Sequence, residues 1–259
     1  MSADVKRVLY FTKSAGFEHG TVHRDGDELA PTEKLLSAWG PEHGFEVVCS
    51  KDGSLFTPEY LAGFDAYIFC TTGILSEEGT DKQPPFPPGG KDALLAAIAG
   101  GKGFVGIHNA SDTFHGKDCV DPYIAMLGGE FATHGAQQVA RQELVSSFPG
   151  IALLHPIIES HDEWYVQRNL AKDLHVVLLQ HTEGMTGEMY EGKPAWPSAW
   201  ARRHGAGRVF YIAMGHRPDN FEDAVFLMVL GAALDWATGR VDADVTPNIA
   251  QVAPGCPTV

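Results

Sequence analysis

The sequence predicts an α/β protein with a mostly parallel sheet and antiparallel additions, on three observations. Short apolar, β-branched runs alternate with helical stretches through the first half, strand-like runs crowd the second, and one apolar helix closes the pattern. The even spacing of these segments along 259 residues predicts one domain over residues 1–240. Residues 241–259, with Pro247, Pro254 and Pro257, read as an irregular tail.

VKRVLYFTK (5–13) is the first strand, running into a loop at Gly16. A helix follows near residues 32–43, where Pro31 suits the first turn and Gly44 supplies a stop. FEVVCS makes a second strand, TPEYLAG a short helix and DAYIFCTT a third strand, a βαβ rhythm with right-handed crossovers. The next segment, TGILSEEGTDKQPPFPPGG, carries Pro84, Pro85, Pro87 and Pro88, which preclude regular structure, so it is a long loop. The helix KDALLAAIA leads through GGKG into the strand FVGIH. Those glycines precede the strand and act as a helix stop and turn; there is no Walker A motif and no G-x-G-x-x-G after a strand. QQVARQELV, IIESHDEWYVQ, LHVVLLQHT, SAWARR and RVFYIAM are strand-like, with HGAG a hairpin loop between the last two. Residues 221–238 form an apolar helix stopped at Gly239.

Composition narrows the function. An apolar fraction of 44% with 20% charged residues is that of an ordinary soluble globular protein. The net charge of -14, from 33 acidic and 19 basic residues, repels phosphate backbones and anionic lipid, so neither nucleic acid nor a membrane is an expected partner. The apolar run in MSADVKRVLYF is too short for a signal peptide. The longest apolar stretch, 224–237, is broken by Asp235 and falls short of the roughly 20 residues a membrane helix needs. Cys49, Cys70, Cys119 and Cys256 contain no CxxC pair, and Cys49 and Cys70 end buried strands as reduced core thiols. A cytoplasmic location is expected.

Four histidines follow strand-like runs or turns: His19, His108, His134 and His216. In an open α/β sheet the carboxyl ends of the strands face one crevice, so these imidazoles are expected to line one site, as acid/base groups or as metal ligands. Within HDEWY, neighbouring side chains of a strand face opposite ways, so only one of Asp162 and Glu163 addresses the site. Glu163, on the face of His161 and Tyr165, is the candidate acid/base group; Asp162 is expected to cap or to pair with an arginine. Asp112, four residues after His108, is placed either to orient that imidazole or to cap the following helix. Phe17 and Trp196, on Gly- and Pro-rich loops, are candidate lids, and Tyr165 a further substrate contact, because a pyranose packs its apolar face on a ring.

GFEH, GKGFVGIHNASD, LGGEFATH, HDEWY, SAWARRHGAGRVFYIAMGH and DWATG, in this order over residues 5–240, resemble the ThuA (trehalose utilisation) family. The resemblance implies a class I glutamine amidotransferase-like fold, which is a flavodoxin-like three-layer sandwich, and a link to the use of trehalose and keto-sugar derivatives. In the amidotransferase relatives a nucleophilic cysteine occupies the turn after the strand FVGIH; here His108 stands there, so no glutaminase activity is expected. The expected function is acid/base or metal-assisted hydrolysis or isomerisation of a (3-keto-)glycoside, with a small-molecule sugar or keto-sugar as partner. Catalysis is assigned to His108, Glu163 and Asp112, substrate binding to Phe17, His19, Tyr165 and Trp196. A divalent metal, Zn²⁺, is one option, on His19, His134 and His216. Two other readings stay open, a sugar-binding or regulatory module and an amide or ester hydrolase using Cys70, as does homo-oligomer formation.

Overall fold

Val8 and Tyr10 enter one apolar layer and Leu9 and Phe11 another, so both faces of the first strand, β1 (Lys6–Phe11), are covered, as a parallel strand between two helical layers requires. The computed structural model describes residues 4–116 and 119–259; the first residues of the predicted domain lie outside them. After β1 come β2 (Ser14–Ala15), α1 (Pro31–Glu42), β3 (Phe45–Ser50), α2 (Pro58–Ala62), β4 (Ala66–Phe69), β5 (Thr72–Gly73), α3 (Gly90–Ala99) and β6 (Gly103–Ile107). The second half holds α4 (Pro122–Leu127), β7 (Glu130–His134), β8 (Gln138–Leu144), β9 (Ile157–Asp162) and β10 (Tyr165–Arg168). There follow β11 (His175–Gln180), β12 (Trp196–His204), β13 (Gly207–Ile212), α5 (Ala224–Ala237) and α6 (Ile249–Val252).

Nine strands form one sheet in the order β3-β1-β4-β6-β13-β12-β11-β8-β9. From β3 to β13 the neighbours run parallel, and from β13 to β9 antiparallel. Leu36 of α1 and Phe226, Val229 and Leu230 of α5 belong to the apolar layer on one face. Leu61 of α2, Leu94 and Ile98 of α3, and Ile124 and Leu127 of α4 fill the other. This is the flavodoxin-like sandwich with antiparallel additions expected from the sequence. Each large side chain fully buried in these layers contributes about 1.5–3 kcal/mol. Helix α5 starts where the Asp223 carboxylate accepts the Val225 and Phe226 N–H groups, which have no partner within the helix.

The segment IIESHDEWYVQ departs from its reading as one strand. β9 ends at Asp162, and β10 pairs instead with β7 in a separate two-stranded sheet. The cause is the Asp162 side chain, which accepts the next residue's N–H and turns the chain out of the ladder. Residues 241–259, read as an irregular tail, include the single turn α6 and are packed down. Asn248 bonds both the N–H and the C=O of Val176, and Ile249 and Ala253 are buried. Among the described residues no helix is long and apolar enough to cross a membrane.

Candidate functional site

His108 opens the turn after β6 with φ 42°, a left-handed conformation that costs a non-glycine residue of order 1–3 kcal/mol and therefore needs fixing from outside. Two bonds to the neighbouring strand fix it. The ring donates from Nδ1 to the Ala213 carbonyl at 2.8 Å, and the Tyr211 hydroxyl donates to the His108 carbonyl at 2.7 Å. Because a carbonyl only accepts, Nδ1 carries a proton, and in the neutral ring the lone pair is on Nε2. His216 is reached through Gly215, whose φ of +125° and the 2.6 Å approach of Ile107 Cγ2 to any added Cβ admit only glycine.

His19, from the loop before α1, completes a trio of rings. Their centroids lie 5.4 Å (His19–His108), 5.1 Å (His19–His216) and 5.3 Å (His108–His216) apart. Glu163 faces them. Its Oε2 lies 3.7 Å from His108 Nε2 and 3.2 Å from His216 Nδ1, and its Oε1 lies 3.2 Å from His134 Nδ1. One ligand atom from each of His19, His108, His216 and Glu163 can be chosen so that all lie within 4.8 Å of one another, a grouping able to hold a metal ion.

Electrostatics follow from burial and proximity. Burial, then the charges of His108 and His216, push His19 down to about 3, so its ring is neutral at physiological pH. Burial raises Glu163, but the close approach and charges of His108 and His216 outweigh it and hold the carboxyl well below the usual carboxylate range. Burial also raises Asp162, against the His108 charge and the N–H groups of Gly215 and Glu163. The Asp162 carboxylate accepts from Glu163 N at 2.8 Å, from Gly215 N at 2.7 Å and from the Asn220 side-chain amide. One buried group thus ties the backbone of Glu163 to the backbone leading to His216.

The expected residues fare differently. Tyr165 lies against His108, ring centroids 4.0 Å apart, and Phe17 is 69% exposed with its ring 5.0 Å from that of His19. His134 sits outside the three-imidazole group: it meets Glu163 at 3.2 Å and neighbours Tyr165, with its side chain 43% exposed, and His108 takes its place among the possible ligands. Asp112 neither orients His108 nor caps α4. It pairs with His115 at 3.1 Å, while the Ala213 carbonyl orients His108 and Asp121 caps α4. Asp162 caps backbone N–H groups and pairs with no arginine, because the buried donors that face it are those of Glu163, Gly215 and Asn220. His161 is exposed and does not share a face with Glu163, since the chain leaves the strand between them. Trp196 is no lid: it begins β12 and is buried in the apolar layer of α2, α3 and α4.

Asn109 escaped the sequence reading. Its amide accepts the Cys70 thiol at 3.0 Å and meets His19 Nδ1 at 3.2 Å, and its only signal was its place after His108. Cys70 itself is buried, and that burial pushes its thiol up to about 12, which leaves almost no thiolate at neutral pH.

The fold has relatives of known structure. A ThuA-like protein from Bacteroides uniformis ATCC 8492 is similar over 92% of this chain and 93% of its own, with 19% identity and a TM-score of 0.66. Another, from Parabacteroides merdae ATCC 43184, covers 92% of both chains at 14% identity and a TM-score of 0.66. A cytoplasmic protein from Salmonella typhimurium LT2 covers 90% of this chain and 97% of its own at 13% identity and a TM-score of 0.56. At these identities the likeness concerns the fold. No curated protein sequence matches the chain. The family model described as trehalose utilisation matches residues 7–237, a span that takes in every residue of the histidine–carboxylate cluster, and the chain belongs to this ThuA family.

Proposed function

We propose that this protein is a cytoplasmic carbohydrate-processing enzyme that moves a proton at the carbon beside the carbonyl of a neutral 3-keto-glycoside: return of the proton from the enolate gives isomerisation, and departure of the protonated aglycone from the adjacent anomeric carbon followed by addition of water there gives hydrolysis. The observation that carries this reading is the meeting of Glu163 with His108, His134 and His216 at distances of 3.2–3.7 Å. His134 is the proton carrier: its side chain is 43% exposed and stands 3.2 Å from Glu163, so it can trade protons with solvent and substrate. N–H donors of the rings gathered there would stabilise the enolate oxygen that develops when the proton leaves.

A neutral substrate suits the surroundings. A cavity of about 450 Å³ on the loop that carries His19 takes in none of the cluster residues; its Lys51 is paired with Glu18 and Asp81, and its Arg24 with Glu33. Such paired groups bind hydroxyls, whereas a phosphosugar calls for an excess of cations. The free thiols agree with a reducing compartment. A hydrolase using Cys70 is disfavoured by that residue's burial.

Proton exchange followed by NMR in D₂O, with 3-keto-trehalose as probe, tests the proposal. Exchange beside the carbonyl and formation of product are expected, with a loss of roughly 10²–10⁴-fold in Glu163→Gln and in His134→Ala. Tight sugar binding without exchange or cleavage would overturn it and leave a binding module.

A further inference from the structure

We propose that His19, His108, His216 and Glu163 bind one first-row divalent transition-metal ion, with Zn²⁺ the best match. Any role of the cation in turnover rests on the function proposed above; its binding does not.

The first support is two buried nitrogens without partners. His108 Nε2 and His216 Nδ1 are both inaccessible to solvent and make no hydrogen bond, and His108 as a whole is 0% exposed. Leaving a buried polar atom unpaired costs about 1–3 kcal/mol, and a cation between them recovers that cost. The His108 lone pair cannot turn elsewhere, because Nδ1 is committed to the Ala213 carbonyl. This is how proteins orient a metal-ligating imidazole, through a hydrogen bond from the nitrogen that does not bind.

The second support is spacing. Tetrahedral ligands at about 2.0–2.1 Å from Zn²⁺ stand roughly 3.4 Å from one another. The edges from Glu163 Oε2 to His216 Nδ1 and to His108 Nε2 measure 3.2 Å and 3.7 Å, on either side of that value. Glu163 Oε1 faces His134 at 3.2 Å, whose Nδ1 proton goes to the Gly135 carbonyl at 2.9 Å, while Oε2 is the oxygen turned to His108 and His216.

The donor set decides the metal class. Three imidazole nitrogens and one carboxylate oxygen suit Zn²⁺ and its first-row neighbours; Mg²⁺ and Ca²⁺ require mostly oxygen ligands, and soft cations require thiolates. The nearby sulfur, Cys70, is turned to Asn109 and protonated, so it adds no thiolate. In turnover the ion would act as a Lewis acid on the keto oxygen while His134, which is not a ligand, moves the proton.

Calorimetric titration of chelator-stripped protein with Zn²⁺, Co²⁺ and Mg²⁺, joined to metal analysis and the visible spectrum of the Co²⁺ form, tests this. The expected result is one Zn²⁺ or Co²⁺ per chain, with the intense bands of low-coordinate Co²⁺ and no comparable Mg²⁺ binding. His108→Ala, His216→Ala and Glu163→Gln should each weaken Zn²⁺ by at least about 100-fold, since removing even an outer partner of a ligand costs 10–100-fold. His19→Ala, a change in a loop, should do the same and guards against a variant that merely misfolds. The exposed His155→Ala should bind as the parent does. Substoichiometric binding, or binding indifferent to these four changes, would overturn the site. Zn²⁺ binding without keto-sugar exchange keeps the site and removes the proposed function; full exchange by stripped protein keeps that function and removes the metal's role in it.

Discussion

Asp162→Asn is the most searching single change, because it replaces one heavy atom, keeps the shape and strikes the joint between Glu163 and His216. The native carboxylate receives three N–H donors, Glu163 N on Oδ1, and Gly215 N and the Asn220 amide on Oδ2. Asparagine has one acceptor oxygen. With that oxygen kept on Glu163 N, its NH₂ group faces the Gly215 N–H; the Asn220 amide can rotate to present its oxygen, but a backbone N–H cannot. One stranded buried N–H costs about 1–3 kcal/mol, and bonds that lose a charged acceptor weaken by roughly 1 kcal/mol each. Relief from burying a charge returns part of this, leaving about 2–4 kcal/mol. For a chain of this length 1 kcal/mol moves Tm by about 2–4 °C, so the variant should melt roughly 4–16 °C lower. Circular dichroism measures the melting, and the Zn²⁺ titration should weaken by about 10–100-fold as the two backbones lose their tie. A variant that melts within about 2 °C of the parent, on the same scale, with unchanged Zn²⁺ affinity refutes the reasoning.

Gly215→Ala should lower stability by about 2–4 kcal/mol, since φ +125° strains any L side chain and the new Cβ meets Ile107 at 2.6 Å. Differential scanning calorimetry checks it, and a parent-like Tm would mean that the turn has another way to relax. Alkylation at mildly alkaline pH, read by mass spectrometry, should mark the exposed Cys119 first. Cys49 and Cys256, pushed by burial up to about 11, and Cys70, up to about 12, should react only on unfolding, so early labelling of Cys70 would contradict its placement.

The parallel half was legible because its strands are covered on both faces and so read as unbroken apolar runs such as VLYF and YIF. The histidine cluster was legible for a related reason: strand ends in such a sheet point to one crevice. What periodicity cannot reveal is where a side chain pulls its own backbone out of register. HDEWY alternates well enough to pass as one strand, yet the Asp162 carboxylate breaks it and thereby frees Glu163 to face His108. Trp196 misled for another reason. Pro197 beside it argues against a strand, but it lies at an irregularity in the pairing of β11 with β12, where a missing N–H does less harm. The hydrogen bond that sets His108 goes to a backbone carbonyl, to which the identity of Ala213 gives no clue.

The antiparallel half supplies the acid of the cluster, and it does so from a distance. In the strand order β9 is the edge, four places from β13, which is about 19 Å along a flat sheet at roughly 4.8 Å per strand. Yet Asp162, its last residue, bonds Gly215 just beyond β13 at 2.7 Å, so the antiparallel strands curl back until the sheet's edge meets its middle. The histidines His19, His108 and His216 stand on the parallel half alone. Opening of the edge strand would therefore carry Glu163 away and leave the three rings in place, and edge strands are where local opening is least costly. A cation held by both halves must oppose that opening by its binding free energy to the closed form. Hydrogen exchange of the native protein should accordingly show the amides of Glu163 and Gly215 exchanging together without metal, and both slowing by the same factor when Zn²⁺ is added. Slowing at Gly215 alone would mean that the ion touches only the histidines, and the carboxylate would then belong to the proton-transfer chemistry instead.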